Sequence, residues 1–272
     1  MKWRRKEMEM RNELVTVDHI RLNRRRLEVR PGKPYAELLA LGDIHEGHPN
    51  CDIERVLRQV EYCVEKGVHV IGMGDYIEAG LRGSVGDSVY MQNLNPQRQK
   101  DFIREHVLGP LAAADLLVGI HIGNHEGRIL KNTSINIVKD LAREFEVPYL
   151  GYACWNLFYV GKQSYTVYSI HGTSGARFEH TKLKAALDIA RNFGADLSLM
   201  GHVHTMIDDS TLFQDVDRRR KAVVERKAIV VITGHYLRYD NSYAQEKGFS
   251  IGKMGSPKIE LWKTKKDIHI SK

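Results

Sequence analysis

Two short spacings in the chain carry chemistry. In LALGDIHEGH, Asp43 and His45 stand two residues apart behind a glycine, and in GHVH His202 and His204 repeat the arrangement. On an extended strand the side chains at i and i+2 point to the same side, so each pair is expected to reach one point in space. Three further apolar runs end in the same way. GMGDYIE delivers Asp75, GNHE delivers Asn124 and His125, and SIHGT delivers His171. A single histidine after a strand is more often a hydrogen-bonded structural residue than a ligand. Five separate segments that each supply Asp, Asn or His beside glycine point instead to a shared site. Imidazole and carboxylate together suit borderline divalent ions such as manganese, iron, zinc or nickel, whereas calcium and magnesium prefer cages of oxygen. GTSGARFEH has neither the lysine nor the spacing of a phosphate-binding P-loop. Ser174 in GTSGA fails the Gly-x-Ser-x-Gly elbow of a serine nucleophile and reads as a loop serine.

The segments that present these residues alternate with helices. LLALGDIH, VHVIGMGDYIE, LLVGIHIGNHE, YTVYSIHGT and DLSLMGHVHT read as buried strands that end at polar clusters. DIERVLRQVEYCVEKG opens on an acidic N-cap and closes at Gly67, and SINIVKDLAREFE and HTKLKAALDIARNFG share its helical spacing. Alternating strand and helix predict a layered α/β fold, in which ligands gather beyond the carboxyl ends of the strands, where all five clusters fall. Later, AIVVITGHYLRY and KIELWKTKKDIHI have strand character with no long helix between them, which predicts antiparallel pairing at the edge of a second sheet. DVDRRRKAVVERK reads as a charged hairpin tip.

The ordered set GDIH, GMGD, GNHE, HG and GHVH, running from Gly42 to His204, resembles the calcineurin-like metallophosphoesterase superfamily, and no motif is missing. The resemblance implies two facing mixed β-sheets flanked by helices, a four-layer αββα sandwich. It implies that Asp43, His45 and His204 hold one divalent ion, that Asn124, His171 and His202 hold another, and that Asp75 bridges both. Manganese is the first choice of metal, with iron, zinc or nickel as alternatives. A metal-bridging hydroxide is the implied nucleophile, since two ions about 3.5–4 Å apart lower the pKa of a shared water toward ~7 and clamp phosphate oxygens during in-line attack. His125 is implied to stand above the pair as the donor of a proton, or of positive charge, to the leaving oxygen. Glu126 is implied to orient that histidine.

Other residues are weighed as substrate contacts. His48 could stand at the mouth of the site, and Arg128 and Arg177 each follow a ligand closely enough to hold a phosphate oxygen; solvated loop side chains are the plain alternative. His235 follows a strand as the ligands do, but the superfamily pattern has no use for it. His121 is expected to be packed or hydrogen-bonded. Tyr236, Tyr239 and Tyr243 could stack on bases, although packing is the commoner use of such tyrosines.

The length of 272 residues fits one catalytic domain over residues 34–272, with a basic arm or edge extension over residues 1–33. That segment holds eleven Lys and Arg against five Asp and Glu, and the rest of the chain thirty against twenty-nine, so nearly all of the +7 net charge resides in it. Trp3 beside Arg4 and Arg5, and the triplet Arg24, Arg25 and Arg26, make it a candidate holder of nucleic-acid backbones, against the alternative of a solvated basic face. Cys51, Cys63 and Cys154 lack metal spacing and form no even framework, which argues for a reducing compartment. No signal-peptide core follows the charged N-terminus, and LGPLAAADLLVGIHIG is too short and too polar to span a bilayer. A cytoplasmic protein without membrane contact is expected, with a homodimer left open. The leading expectation is a hydrolase of phosphodiester bonds acting on nucleic acid, as a nuclease, or on nucleotide-derived substrates. The alternatives are a phosphomonoesterase of phosphoprotein or a small metabolite, and a binding scaffold that has kept the fold and lost catalysis.

Overall fold

The computed structural model describes residues 13–17, 20–82, 88–173 and 175–271. Trp3, Arg4, Arg5, Ser174 and the side chain of Tyr243 lie outside the described residues. In chain order the elements are β1 (Glu13–Val17), β2 (Ile20–Arg26), β3 (Tyr35–Leu41), α1 (Ile53–Lys66), β4 (His69–Gly72), α2 (Pro96–Ile103), α3 (Gly109–Ala113), β5 (Leu117–His121), α4 (Asn124–Thr133) and α5 (Ile137–Glu144). There follow β6 (Tyr149–Gly151), β7 (Ala153–Val160), β8 (Gln163–Ile170), α6 (Glu179–Phe193), β9 (Leu197–Met200), β10 (Met206–Asp217), β11 (Ala222–Thr233), α7 (Tyr243–Glu246), β12 (Lys258–Trp262) and β13 (Ile268–Ser271).

The strands form two sheets, one ordered β1-β2-β7-β8-β9-β11-β10 and the other β13-β12-β3-β4-β5-β6. Both are mixed. In the smaller sheet β3 to β6 run parallel, while β12 pairs antiparallel with β3 and with β13, so the KIELWKTKKDIHI segment closes a sheet edge as expected; AIVVIT does not join it there, because β11 lies in the larger sheet between β9 and β10. β10 and β11 pair antiparallel from Met206 opposite Thr233 to Asp217 opposite Ala222, which makes DRRRK the tip of a long hairpin, as expected.

Leu38, Ala40, Ile71 and Met73 from one sheet meet Phe158, Tyr165, Val167, Leu199 and Val231 from the other, and this is the core between the sheets. On the far side of the smaller sheet, Leu39, Leu41 and Val70 pack with Val56, Val60 and Cys63 of α1 and Val138 and Leu141 of α5. Ala186 and Ala190 of α6 cover Val230 and Ile232 of the larger sheet. The layers are therefore helix, sheet, sheet, helix. Strand β3 is buried on both faces, which is why its sequence is a continuous apolar run rather than an alternating one. Helix α1 is capped as its sequence requires: the Asp52 carboxylate accepts the Arg55 amide, and Gly67 ends it at φ 61°, a left-handed value that suits glycine.

Strands β1, β2, β6 and β7 and helices α2, α3, α4 and α7 were not legible beforehand. The triplet Arg24 to Arg26 lies in β2, hydrogen-bonded between β1 and β7, so it is part of a sheet rather than of a free arm. Arg25 is buried, and its guanidinium donates to the Asp115 carbonyl and pairs with the Asp115 carboxylate. No helix among the described residues is long and apolar enough to cross a membrane. Cys51, Cys63 and Cys154 are free thiols.

Candidate metal centre

The ligand-type residues all follow strand ends. Asp43 and His45 come just after β3, Asp75 after β4, and Asn124 and His125 after β5; from the facing sheet His171 comes after β8, and His202 and His204 after β9. One correction concerns how the paired residues converge. They are not on extended backbone: φ is 50° at Asp43, 55° at His45, 72° at His202 and 48° at His204, and Asp75 adds 51°. In this left-handed region a residue with a Cβ is held at a cost on the order of 1–3 kcal/mol. The strands have already ended, and tight loop kinks aim these side chains inward. Cross-loop hydrogen bonds hold the kinks, with the Asp43 amide donating to the Gly74 carbonyl at 2.9 Å and the His45 amide to the Asp75 carbonyl at 3.0 Å. Gly74 (φ 91°) and Gly123 allow the two loops to cross, because a Cβ on Gly123 would collide with Asp75 Oδ1.

Three groups of potential donor atoms lie within 4.8 Å of one another: Asp43, His45 and His204; Asp75, His171 and His202; and His45, Glu78 and His125. The first two are the groups expected to surround separate ions. Asp75 stands between them. Its Oδ1 accepts the His125 amide at 2.8 Å, while Oδ2, fully buried, has no hydrogen-bond partner and lies 3.3 Å from His171 Nε2 and 3.9 Å from both His45 Nε2 and His125 Nε2. A buried carboxylate oxygen left without a partner is costly unless a cation or proton meets it.

The imidazoles are aimed in the same sense. His171 Nδ1 donates to the Met73 carbonyl at 2.8 Å, so Nε2 is the atom that faces Asn124 Oδ1 at 2.9 Å and Asp75. His45 Nδ1 faces Glu78 Oε2 at 3.1 Å, and its Nε2 meets His204 Nε2 at 3.0 Å. Each inward nitrogen therefore confronts acceptors or another ring nitrogen, an arrangement that holds together only around shared positive charge. Without metal a proton supplies it. Burial alone would depress His171, but Asp75 and Asp43 raise it to about 10; burial likewise opposes, and Glu78 and Asp75 outweigh it, in raising His45. Burial would raise Asp43 and Asp75, yet the facing histidines hold Asp43 below and Asp75 well below the ordinary carboxylate range. His202 is lowered, by burial first and then by His171. The buried orphan oxygen and the nitrogen-rich surroundings fit borderline divalent cations.

His125 lies at the rim of this cluster. Its Nδ1 donates to the Glu78 carbonyl at 2.6 Å, and Arg128 donates to Nε2 at 3.0 Å. Burial pushes it down to about 4. Glu126 does not take the role expected for it. Its carboxylate accepts four backbone amides, from Gly123 (2.9 Å), Asp75 (3.0 Å), Tyr76 (2.7 Å) and Ile77 (3.1 Å), and so ties the Asp75 loop to the α4 turn. The His125 ring is oriented by Glu78 and Arg128 instead. Burial and Asp75 push Glu126 up to about 7, while the amides of Ile77 and Gly123 favour the charged form. Glu126→Gln replaces one carboxylate oxygen, each of which accepts two amides, by an NH2 and leaves two buried amides unpaired. A loss of about 2–6 kcal/mol is expected at about 1–3 kcal/mol per orphaned group, read as a lower midpoint in chemical denaturation.

Glu78 was missed in the sequence. Its signal was a carboxylate three residues after Asp75 in GMGDYIE, but nothing in that segment says that it faces His45 rather than solvent. Carboxylates that hold a ligating histidine through its second nitrogen fix its tautomer and raise its basicity. Of the substrate candidates, Arg128 reaches the site through His125, and His48 is half-buried beside it, its amide donating to the His45 carbonyl at 2.9 Å. Arg177 is exposed and donates to the Gly248 carbonyl at 3.0 Å, with Phe249 under its guanidinium, so it is not brought into the cluster. His235 stacks on His204 with ring centroids 5.3 Å apart, and burial lowers it to about 3. His121 is buried between the Gly151 carbonyl and Ser169 Oγ. Tyr236 is buried and donates to Gln59, and Tyr239 donates to the Phe249 carbonyl, so both serve packing.

No protein-family model and no curated protein matches the sequence. Solved structures do. An archaeal phosphodiesterase is 15% identical over 86% of this chain and 98% of its own, with a TM-score of 0.41. A protein from Streptococcus pneumoniae described as a predicted phosphoesterase is 12% identical over 88% of this chain and 90% of its own, with a TM-score of 0.37. Vacuolar protein sorting 29 from Cryptosporidium parvum is 13% identical over 88% and 98%, with a TM-score of 0.39. The two mixed sheets flanked by helices are the architecture that the sequence resemblance implies, and donor atoms from its motif residues converge.

Proposed function

We propose that the protein is a metal-dependent hydrolase of phosphodiester bonds that acts on nucleic acid or nucleotide-derived substrates. The observation that carries the reading is Asp75 Oδ2, buried at the meeting point of three imidazole nitrogens and met only by the His171 imidazolium at 3.3 Å. Asp43, His45 and His204 would hold one cation, Asn124, His171 and His202 a second, and Asp75 would serve both, manganese being the preferred element. Two such cations, when bound, supply an activated water as the nucleophile and neutralise charge on the phosphate. The protein's own groups do the rest. Arg128 offers a planar pair of N–H donors at the rim, suited to a non-bridging phosphate oxygen. His125, fixed by the Glu78 carbonyl, is placed to pass a proton or positive charge to the departing oxygen. Glu126 keeps the two loops that carry Asp75 and Asn124 in register.

The complete set of motif residues favours catalysis over a binding scaffold. A screen with manganese across single-stranded DNA, duplex DNA, RNA, cyclic nucleotides and phosphomonoesters, with Asp75→Asn as the blank, tests the reading. Diester turnover that exceeds monoester turnover is expected. A strong preference for monoesters replaces the proposal with a phosphomonoesterase, and no turnover of either above the blank supports the scaffold.

A further inference from the structure

We propose that an aromatic cleft beside the metal centre, lined by Arg21, Tyr149, Tyr152, Trp155, Tyr168 and Phe193, binds the base of a nucleotide whose phosphodiester lies at that centre. The inference rests on the phosphodiesterase reading and narrows it to substrates with an unpaired base, either a nucleotide ester or a single strand. The cleft has a volume of about 540 Å³, within the roughly 300–1,000 Å³ of sites that take small ligands.

Its position is set by the same loops that build the centre. The Tyr152 carbonyl accepts the His171 amide at 3.0 Å, and the Gly151 carbonyl accepts the Ile122 amide at 3.1 Å. The Tyr152 phenol rests on the first turn of α4, where a Cβ on Gly127 would lie 2.8 Å from its hydroxyl. That turn carries Asn124 and His125. The cleft and the metal centre therefore share the Gly151–Tyr152 segment as a wall.

Its chemistry is that of a stacking site. Tyr168 and Phe193 lie parallel, with centroids 3.8 Å apart and planes 15° apart, and Trp155 turns its edge toward both. Phe193 is 40% exposed and Tyr152 46% exposed, so the wall presents aromatic surface to the cleft and not only to the core. At the other side the Arg21 guanidinium lies 5.2 Å from the centre of the Tyr149 ring, a cation on an aromatic face. Flat rings match the π-face that every base has, and arginine matches the phosphate next to it. A phosphoserine or phosphothreonine side chain or an aliphatic ester offers no ring for these side chains to cover.

Phe193→Ala and Tyr152→Ala remove partly exposed rings, and Phe193→Trp keeps an aromatic surface. The manganese-loaded full-length chain is compared on the p-nitrophenyl ester of thymidine 5′-monophosphate and on methyl p-nitrophenyl phosphate, which lacks a base. The ratio of kcat/KM between the two esters is expected to fall about 5- to 140-fold in the alanine variants, the range of base–aromatic stacking, and to persist in Phe193→Trp. An unchanged ratio overturns the cleft assignment while leaving phosphodiesterase activity in place. Should neither ester be hydrolysed, the phosphodiesterase reading fails, and fluorescence anisotropy of a labelled oligothymidylate still decides the cleft. Weaker binding by the alanine variants, with duplex of the same length bound less well than single strand, upholds it. Equal affinity across variants overturns it.

Discussion

His125→Ala is expected to lower kcat by about 10²- to 10⁴-fold, the usual worth of a positioned proton donor, while bound metal stays at the wild-type level. The separation follows from geometry. The two expected ligand groups close without His125, whose Nδ1 is taken by the Glu78 carbonyl and whose Nε2 meets Arg128. As found, the His125 ring donates at Nδ1 to the Glu78 carbonyl and accepts at Nε2 from Arg128. Burial pushes it down to about 4, so it is neutral near pH 7 before substrate arrives. Histidine and arginine thus form one unit, in which the ring aims the guanidinium and the guanidinium carries the charge. Arrival of a phosphate at Arg128 frees Nε2 and brings negative charge beside the ring, which favours uptake of a proton from solvent at Nε2; that proton is the one passed to the leaving oxygen. Metal lost from His125→Ala to the extent seen in Asp75→Asn would make the histidine a structural ligand and remove it from the chemical step. A kcat within about threefold of wild type would do the same.

Asp75→Asn is expected to empty the centre and reduce turnover to background while the fold persists. The asparagine oxygen can still accept the His125 amide in place of Oδ1, so the loop keeps its hydrogen bond. The new NH2 then points where Oδ2 was, toward the His45, His125 and His171 nitrogens, and presents donors where cations need an acceptor. The same carboxylate sets the pH dependence of metal uptake. Burial disfavours the His171 imidazolium, but Asp75 outweighs it and raises the group to about 10, so metal-free protein keeps this proton at pH 7. A ligating imidazole must be neutral, so metal binding expels the proton and affinity climbs with pH, by about tenfold per unit for each proton released. Because the folded value lies above the unfolded one, the His171–Asp75 pair stabilises the metal-free chain fully below about pH 6.5, and this stabilisation is lost as pH rises through about 10. Thermal denaturation of metal-free wild type and Asp75→Asn across that interval reports it as a difference that shrinks toward the alkaline end.

How much of this was legible in the sequence depended on whether a residue's partner was close in the chain. The strand-then-glycine segments around Asp43, Asp75, Asn124, His171 and His202 announced themselves, because a buried parallel strand needs an unbroken apolar run and its end needs a turn. Capping at Asp52 and Gly67 is a local signal and was read correctly. The strands β2 and β7 were not, since Arg24 to Arg26 look like a solvated charge run until Asp115, some ninety positions away, receives Arg25. The pairing of Asp43 with His45 was inferred from strand alternation, whereas the loops reach it through left-handed backbone, a feature that residue types other than glycine conceal. Glu126 and Glu78 show the same limit. Both were visible as carboxylates beside ligands, but which one braces backbone and which one holds His45 is decided by a fold-level approach of two loops.

The central claim is that side chains from five segments hold two cations around Asp75. It is tested most directly by calorimetric titration of the metal-free chain with manganese near pH 7, run in buffers of different ionisation enthalpy and repeated on Asp75→Asn. Two equivalents per wild-type chain with net proton release, and neither in the variant, is the predicted result. Uptake of less than one equivalent by the wild type, or equal uptake by the variant, would contradict it.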